Sequence, residues 1–202
     1  MIVGAVLTQN TSWRNVEKAL VRLESGLPDG LVPAAVLALS NDGLADLIRP
    51  AGYYNVKAKR LRAVVRHFVD RWGGRAEAMA EAVGQGRCSV EEIRDEWLTV
   101  HGVGEETADS ILLYAAGLPV FVCDAYTRRT MSRIGLLPDG ASYPQMRRLF
   151  TDHLPLDTAL FNDYHAQIVR LGSSFCRPRD PRCGICPVQP VCAFGRLEVS
   201  HA

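Results

Sequence analysis

The sequence predicts an all-α fold, and three observations carry that prediction. Apolar residues recur at the three- and four-residue spacing of helices along most of the 202 residues. Glycines, prolines and capping side chains stand where those runs begin and end. No stretch alternates apolar and polar residues as a half-buried strand does. The composition, 48% hydrophobic and 22% charged, is that of an ordinary globular chain with room for one or two domains. No apolar run approaches the ~20 residues of a membrane span. The amino terminus also lacks a basic region followed by a cleavage site. The expectation is a monomeric cytoplasmic protein with no membrane contact.

From the start, Ile2 to Leu7 is apolar and reads as a buried helix. Val16, Ala19, Leu20 and Leu23 then give a second one. Residues 24–33 carry two glycines and two prolines and read as loop. Short helices follow at Ala34–Leu39 and Leu44–Ile48, broken by Asn41-Asp-Gly43 and Pro50. In the stretch from Arg49 to Leu61 a glycine turn presents Tyr53, Tyr54 and Asn55 ahead of a basic helix bearing Lys57, Lys59 and Arg60. Leu61, Val64, Val65, Phe68 and Val69 form the apolar face of that helix, which ends at Gly73-Gly74. Residues 75–88 are alanine-rich and carry no evident chemistry.

The most informative stretch runs from Ser89 to Asp124. Ser89 is placed to cap a helix with Val90, Ile93, Trp97 and Leu98 on its apolar side. Gly102-Val103-Gly104 makes a turn too tight for side chains at positive φ. Thr107 to Ala116 resumes a helix that Gly117 and Pro119 end, so the motif is helix, hairpin, helix. Such a turn leaves N-terminal amides pointing outward with the helix dipole behind them, which suits a phosphate. It also suits a plain corner between two core helices.

Beyond Asp124, residues 125–135 read as a helix carrying Arg128, Arg129 and Arg133. Two further helices follow from Tyr143 and from Ala159. His165 lies on the apolar side of the last of these, the usual place of a hydrogen-bonded core histidine. Cys176, Cys183, Cys186 and Cys192 form a C-x6-C-x2-C-x5-C cluster in a loop rich in proline and arginine. Four thiolates so spaced imply a metal site, which zinc or a [4Fe-4S] cluster would satisfy equally. Cys88 and Cys123 stand outside the pattern. Residues 121–202 hold ten arginines against seven acids, so that part carries +3 and the rest −2. This permits a nucleic-acid partner without requiring one.

Three separated motifs resemble the helix-hairpin-helix DNA glycosylases related to endonuclease III: His101-Gly-Val-Gly-Glu-Glu-Thr-Ala108, then Val122-Cys-Asp124, then the cysteine spacing. The resemblance implies a six-helix barrel-like domain with the hairpin over residues 1–120. It also implies a second helical domain over 121–202 holding a [4Fe-4S] cluster on Cys176, Cys183, Cys186 and Cys192. The usual N-terminal segment of that second domain is expected to be missing. The implied partner is double-stranded DNA containing a damaged base, so the protein would be nucleoid-associated in a prokaryote.

By the same resemblance Asp124 is the catalytic carboxylate, and Gly102, Val103 and Gly104 meet the backbone. Gln9 enters the duplex, Tyr53 presses into the opposite strand, and Asn55 and Lys57 lie near phosphates. Glu106 stands where bifunctional members carry the lysine that attacks the sugar, and a carboxylate cannot form a Schiff base. The implied activity is therefore a monofunctional glycosylase. Leu7-Thr-Gln-Asn-Thr11 with Trp13 is closer to the 3-methyladenine branch, and a second carboxylate at Glu106, near Asp124, favours a cationic alkylated purine. The alternatives are a glycosylase for oxidised pyrimidines or mismatches, and a damaged-DNA-binding module without catalysis.

Overall fold

The computed structural model describes residues 1–200, with side chains through Leu197. It is helical throughout, with no strand among the described residues: α1 Ile2–Leu7, α2 Trp13–Gly26, α3 Pro33–Ala38, α4 Asn41–Leu47, α5 Tyr54–Trp72, α6 Glu77–Gly84, α7 Val90–Leu98 and α8 Glu105–Tyr114, then α9 Ala125–Ile134, α10 Tyr143–Thr151, α11 Thr158–Ser174 and α12 Ala193–Ser200. The chain divides into two compact units, Met1–Leu118 and Pro119–Ala202.

In the first unit α5 is the central element, and α1, α3 and α4 pack against it. Its apolar stripe, Leu61, Val64, Val65, Phe68 and Trp72, is buried. Each such side chain withdrawn from water contributes roughly 1.5–3 kcal/mol. Gly73, at φ +62°, ends α5, and its amide and that of Gly74 return to Val69 and Phe68. Left-handed geometry there costs glycine little. The alanine-rich stretch at 77–84 forms α6, whose Met79 sulfur accepts the Trp97 indole N–H at 3.3 Å in the core.

The two arms of the hairpin are α7 and α8. Ser89 caps α7 in a reciprocal box with Glu92, which also receives the Ser89 amide at 2.7 Å. The arms are joined internally by Arg94, whose Nε and Nη2 donate to the two oxygens of Asp109 at 2.6 and 3.4 Å. Asp109 is fully buried. Such a pair contributes little relative to apolar residues of the same shape, but breaking it leaves a charge stranded in the core.

In the second unit α9 packs on α11 and α12. Phe121 stacks on Phe150 with ring centroids 3.7 Å apart and meets Phe161 edge-on at 5.3 Å. These rings anchor the strand-like approach to α9 and so fix where Asp124 emerges. Capping is dense: Asp124 with Thr127, Ser142 with Gln145, and Asp157 on the Leu160 amide.

Candidate functional site

The hairpin tip is built from Val100 to Gly104. Val103 tucks inward, 8% exposed, and its amide returns to the Val100 carbonyl at 3.0 Å. Gly102 sits at φ +85°, and a Cβ there would lie 2.2 Å from Cγ of Arg60. Both conformation and space therefore demand glycine at 102. Gly104 differs from expectation: its φ is −102° and nothing approaches its missing Cβ, so no backbone strain requires glycine there. It is the N-cap of α8, whose first backbone bond runs from Ala108 N–H to Gly104 O at 2.9 Å. The amides ahead of that bond make an open, partially positive turn. Glu105 and Glu106 both lie in this turn, Glu106 exposed and Glu105 3.7 Å from Arg94.

Gln9 braces the tip from behind. Its amide nitrogen donates to Gly102 O and to Thr107 Oγ1, each at 2.9 Å, and its oxygen accepts from Arg60 Nη1 at 2.7 Å. In this conformation the Gln9 amide is engaged at both ends, its nitrogen by the hairpin and its oxygen by α5. The next residue, Asn10, is exposed and holds φ +53°. Tyr53 also has a left-handed backbone, φ +46°, and is 72% exposed, while Asn55 beside it is exposed. A left-handed tyrosine costs of order 1–3 kcal/mol and is held only where surrounding structure enforces it. Tyr54 turns away, its hydroxyl accepting from Arg49 at 3.3 Å. Trp13 is 52% exposed at the start of α2.

Lys57 is the clearest correction. It is 2% exposed, and Nζ donates to the carbonyls of Leu7 and Ala51 at 2.8 Å each. Leu7 ends α1 and Ala51 ends a 3₁₀ turn, so the ammonium caps two helix termini inside the core. It touches no surface that a phosphate could reach. Burial, and secondarily the nearby Arg60 charge, hold its pKa below the usual lysine value.

In the second unit Asp124 is the N-cap of α9. Its Oδ1 accepts from the Thr127 amide at 2.7 Å and from the Thr127 hydroxyl at 3.0 Å. Its Oδ2 lies 3.5 Å from Nε2 of His165, with both side chains largely buried. Burial pushes the carboxyl up, but the interactions with His165 and Thr127 outweigh it, and the group sits below the ordinary aspartate value. A buried carboxylate that stays ionised, with one oxygen held by the cap, can stabilise positive charge or orient a water. Sequence reading placed His165 in the core but had no means of pairing it with Asp124. The two are 41 positions apart and meet only because α9 and α11 pack together.

The four clustered cysteines line one cavity, together with Arg133, Phe175, Phe194 and Gly195. They do not form a closed single-ion site: among the described residues no three His, Cys, Asp or Glu side chains gather around one point. Two donors face the sulfurs, Arg133 Nη1 at 3.5 Å from Cys176 and the Gly195 amide at 3.3 Å from Cys192. Arg133 also donates to the carbonyls of Arg177 and Pro178, and Arg129 to those of Cys176 and Gly172. These α9 arginines tie the cysteine loop to the helix. Cys123 is buried, its amide donating to the Tyr143 hydroxyl at 3.3 Å.

Residues 3–155 match the model of the HhH-GPD superfamily of base excision DNA repair proteins. A Methanocaldococcus jannaschii protein named as a DNA repair glycosylase is 43% identical over 192 residues, covering 95% of this chain and 84% of its own. Among solved structures, a non-covalent endonuclease III–DNA complex superposes with a TM-score of 0.79 at 22% identity, covering 98% of this chain and 84% of that one. Helicobacter pylori 3-methyladenine DNA glycosylase bound to 1,N6-ethenoadenine gives 0.70 at 26% identity, covering 84% and 82%.

Proposed function

The chain belongs to the HhH-GPD superfamily of base excision DNA repair proteins, and from that premise we propose a monofunctional DNA glycosylase that hydrolyses the N-glycosidic bond of an alkylated purine. The observation that carries the chemistry is the Asp124 carboxylate, ionised despite burial, with Oδ1 fixed by Thr127 and Oδ2 directed elsewhere. As the base departs with the bonding electron pair, positive charge develops on the sugar. A buried carboxylate stabilises it more than a solvated one would. Water then adds to C1′ and its proton passes to Oδ2, leaving an abasic site.

No lysine stands at the hairpin position of the lyases; Glu106 does, so the Schiff-base route is closed. A carboxylate there favours a cationic base over a neutral one. The Leu7 to Thr11 segment and the likeness to the H. pylori enzyme favour the same substrate class. The hairpin amides, Asn55 and the exposed Tyr53 are assigned to the duplex, the first two to phosphates and the ring to the stack. Asn10, exposed at the turn that Gln9 anchors, is assigned to the space left by the flipped nucleotide.

Four thiols on one cavity are the donor set of a [4Fe-4S] cluster, and on that chemistry the cluster is assigned to this loop, although the cysteines as they stand are not gathered around one. Cys176, Cys183, Cys186 and Cys192 would hold the cluster, which when bound supplies a structural tie between the loop and α9.

The reading is tested by incubating the protein with duplexes carrying 7-methylguanine, an oxidised pyrimidine or a mismatch, followed by alkali. Alkali-dependent strand breaks at 7-methylguanine, with no borohydride-trapped adduct, are expected. Breaks only at the other lesions would reassign the substrate. A trapped adduct would overturn the monofunctional reading, and no break at any lesion would leave a binding module.

A further inference from the structure

We propose that His165 is a positioning residue for Asp124: it holds the reacting oxygen Oδ2 in place and keeps the carboxylate ionised. The inference deepens the proposed hydrolysis and rests on it for the identity of the reacting group. The geometry separates the two carboxylate oxygens. Oδ1 is occupied by the Thr127 amide and hydroxyl, as the cap of α9 requires. Oδ2 is left to act, and Nε2 of His165 lies 3.5 Å from it. The two side chains are 14% and 12% exposed, so water screens the contact poorly.

The separation is long for a formed hydrogen bond. It is within reach of one after a small rotation about χ2 of Asp124, a soft torsion. With the proton on Nε2 the ring donates to Oδ2, and when the ring is charged the attraction is stronger.

Several charged groups nearby are engaged elsewhere. On α9, Arg128 donates to the Ala141 carbonyl, Arg129 to Cys176 and Gly172, and Arg133 to Arg177 and Pro178. On α11, Asp163 is exposed and accepts from Gln167, while Tyr164 and Arg170 line a groove with Met131 and Pro187. On α12, Arg196 is exposed. His165 is the group whose contact with Oδ2 is seen. Burial is the largest single influence on Asp124 and favours its neutral form; the His165 and Thr127 contacts reverse that balance. Without His165 only the cap opposes burial, and the carboxyl becomes easier to protonate.

The test compares wild type, His165→Leu and His165→Gln on a 7-methylguanine duplex across pH 5 to 8, with the Asp124 carboxyl titration followed by 13C NMR on each protein without DNA. Wild-type kcat is expected to show no acid limb in that range. His165→Leu should bring one in, with kcat about tenfold lower at the acid end, recovering toward neutral pH, and KM little changed. His165→Gln, which keeps an N–H donor, should restore most of the loss. The Asp124 titration should move to higher pH in the leucine variant. A uniform loss in both variants with an unshifted Asp124 titration would overturn the proposal, because that is what a purely structural histidine predicts. If His165→Leu fails to fold, the glutamine variant compared with wild type decides alone, an unmoved Asp124 titration being the refuting result. If wild type releases no base, the proposed function falls separately, and the NMR arm still decides the pairing.

Discussion

Replacing Lys57 with methionine distinguishes an internal cap from a phosphate contact. Methionine keeps the length and bulk of the chain but removes the ammonium that now donates to Leu7 O and Ala51 O at 2.8 Å each. Two carbonyls at helix ends lose their partner in a site only 2% exposed. A buried acceptor left unsatisfied costs about 1–3 kcal/mol. Against that, the variant no longer desolvates a cation, an expense visible in the lowered lysine pKa. The net expectation is a destabilisation of about 2–4 kcal/mol, or a fall in Tm of about 4–16 °C at the 2–4 °C per kcal/mol of a chain this size.

Since the folded pKa lies below the unfolded value of 10.5, the unfolded state binds more protons between the two. Wild-type stability should therefore rise with pH through that window, and Lys57→Met should lose the rise. Calorimetry and denaturant titration measure these effects. DNA affinity, measured on a lesion-free duplex between low and moderate salt, should keep its slope of log K against log salt. A slope shallower by about 0.9, with Tm unchanged, would show that Lys57 neutralises a phosphate and would refute the internal-cap reading.

Three other perturbations bear on the rest of the site. Gly102→Ala should cost about 1–2 kcal/mol for its left-handed backbone, with a further about 1–3 for displacing Arg60; chemical denaturation reads the loss, and weaker binding to undamaged duplex should accompany it. Asp109→Asn should destabilise by about 3–5 kcal/mol by stranding Arg94, whereas Arg94→Met with Asp109→Leu should recover most of it in the same denaturation assay. Cys183→Ala should abolish any visible iron–sulfur absorption and lower Tm, and zinc found in stoichiometric amount by elemental analysis of wild type would overturn the cluster assignment.

What the sequence determined by itself is what depends on neighbours along the chain. Helix periodicity, the Ser89 cap, the glycine requirement at 102, the cysteine spacing and the absence of a lysine at 106 are all local, so they could be read directly. The all-α fold and the superfamily followed from them. What only the tertiary structure decided concerns side chains whose meaning depends on distant partners. Lys57 reads as a surface cation on a basic helix, and only the packing of α1 against α5 puts two helix-end carbonyls around its Nζ. Gln9 reads as a probe for DNA, but the return of the chain 93 positions later presents Gly102 O to its amide. The arginines at 129 and 133 read only as charges on a helix, and it is the packing that brings the cysteine loop back to take them. His165 reads as filler until α11 sets it beside Asp124. Long polar side chains carry their specificity at the far end, several ångströms from the backbone, and which group waits there is fixed by how the helices pack.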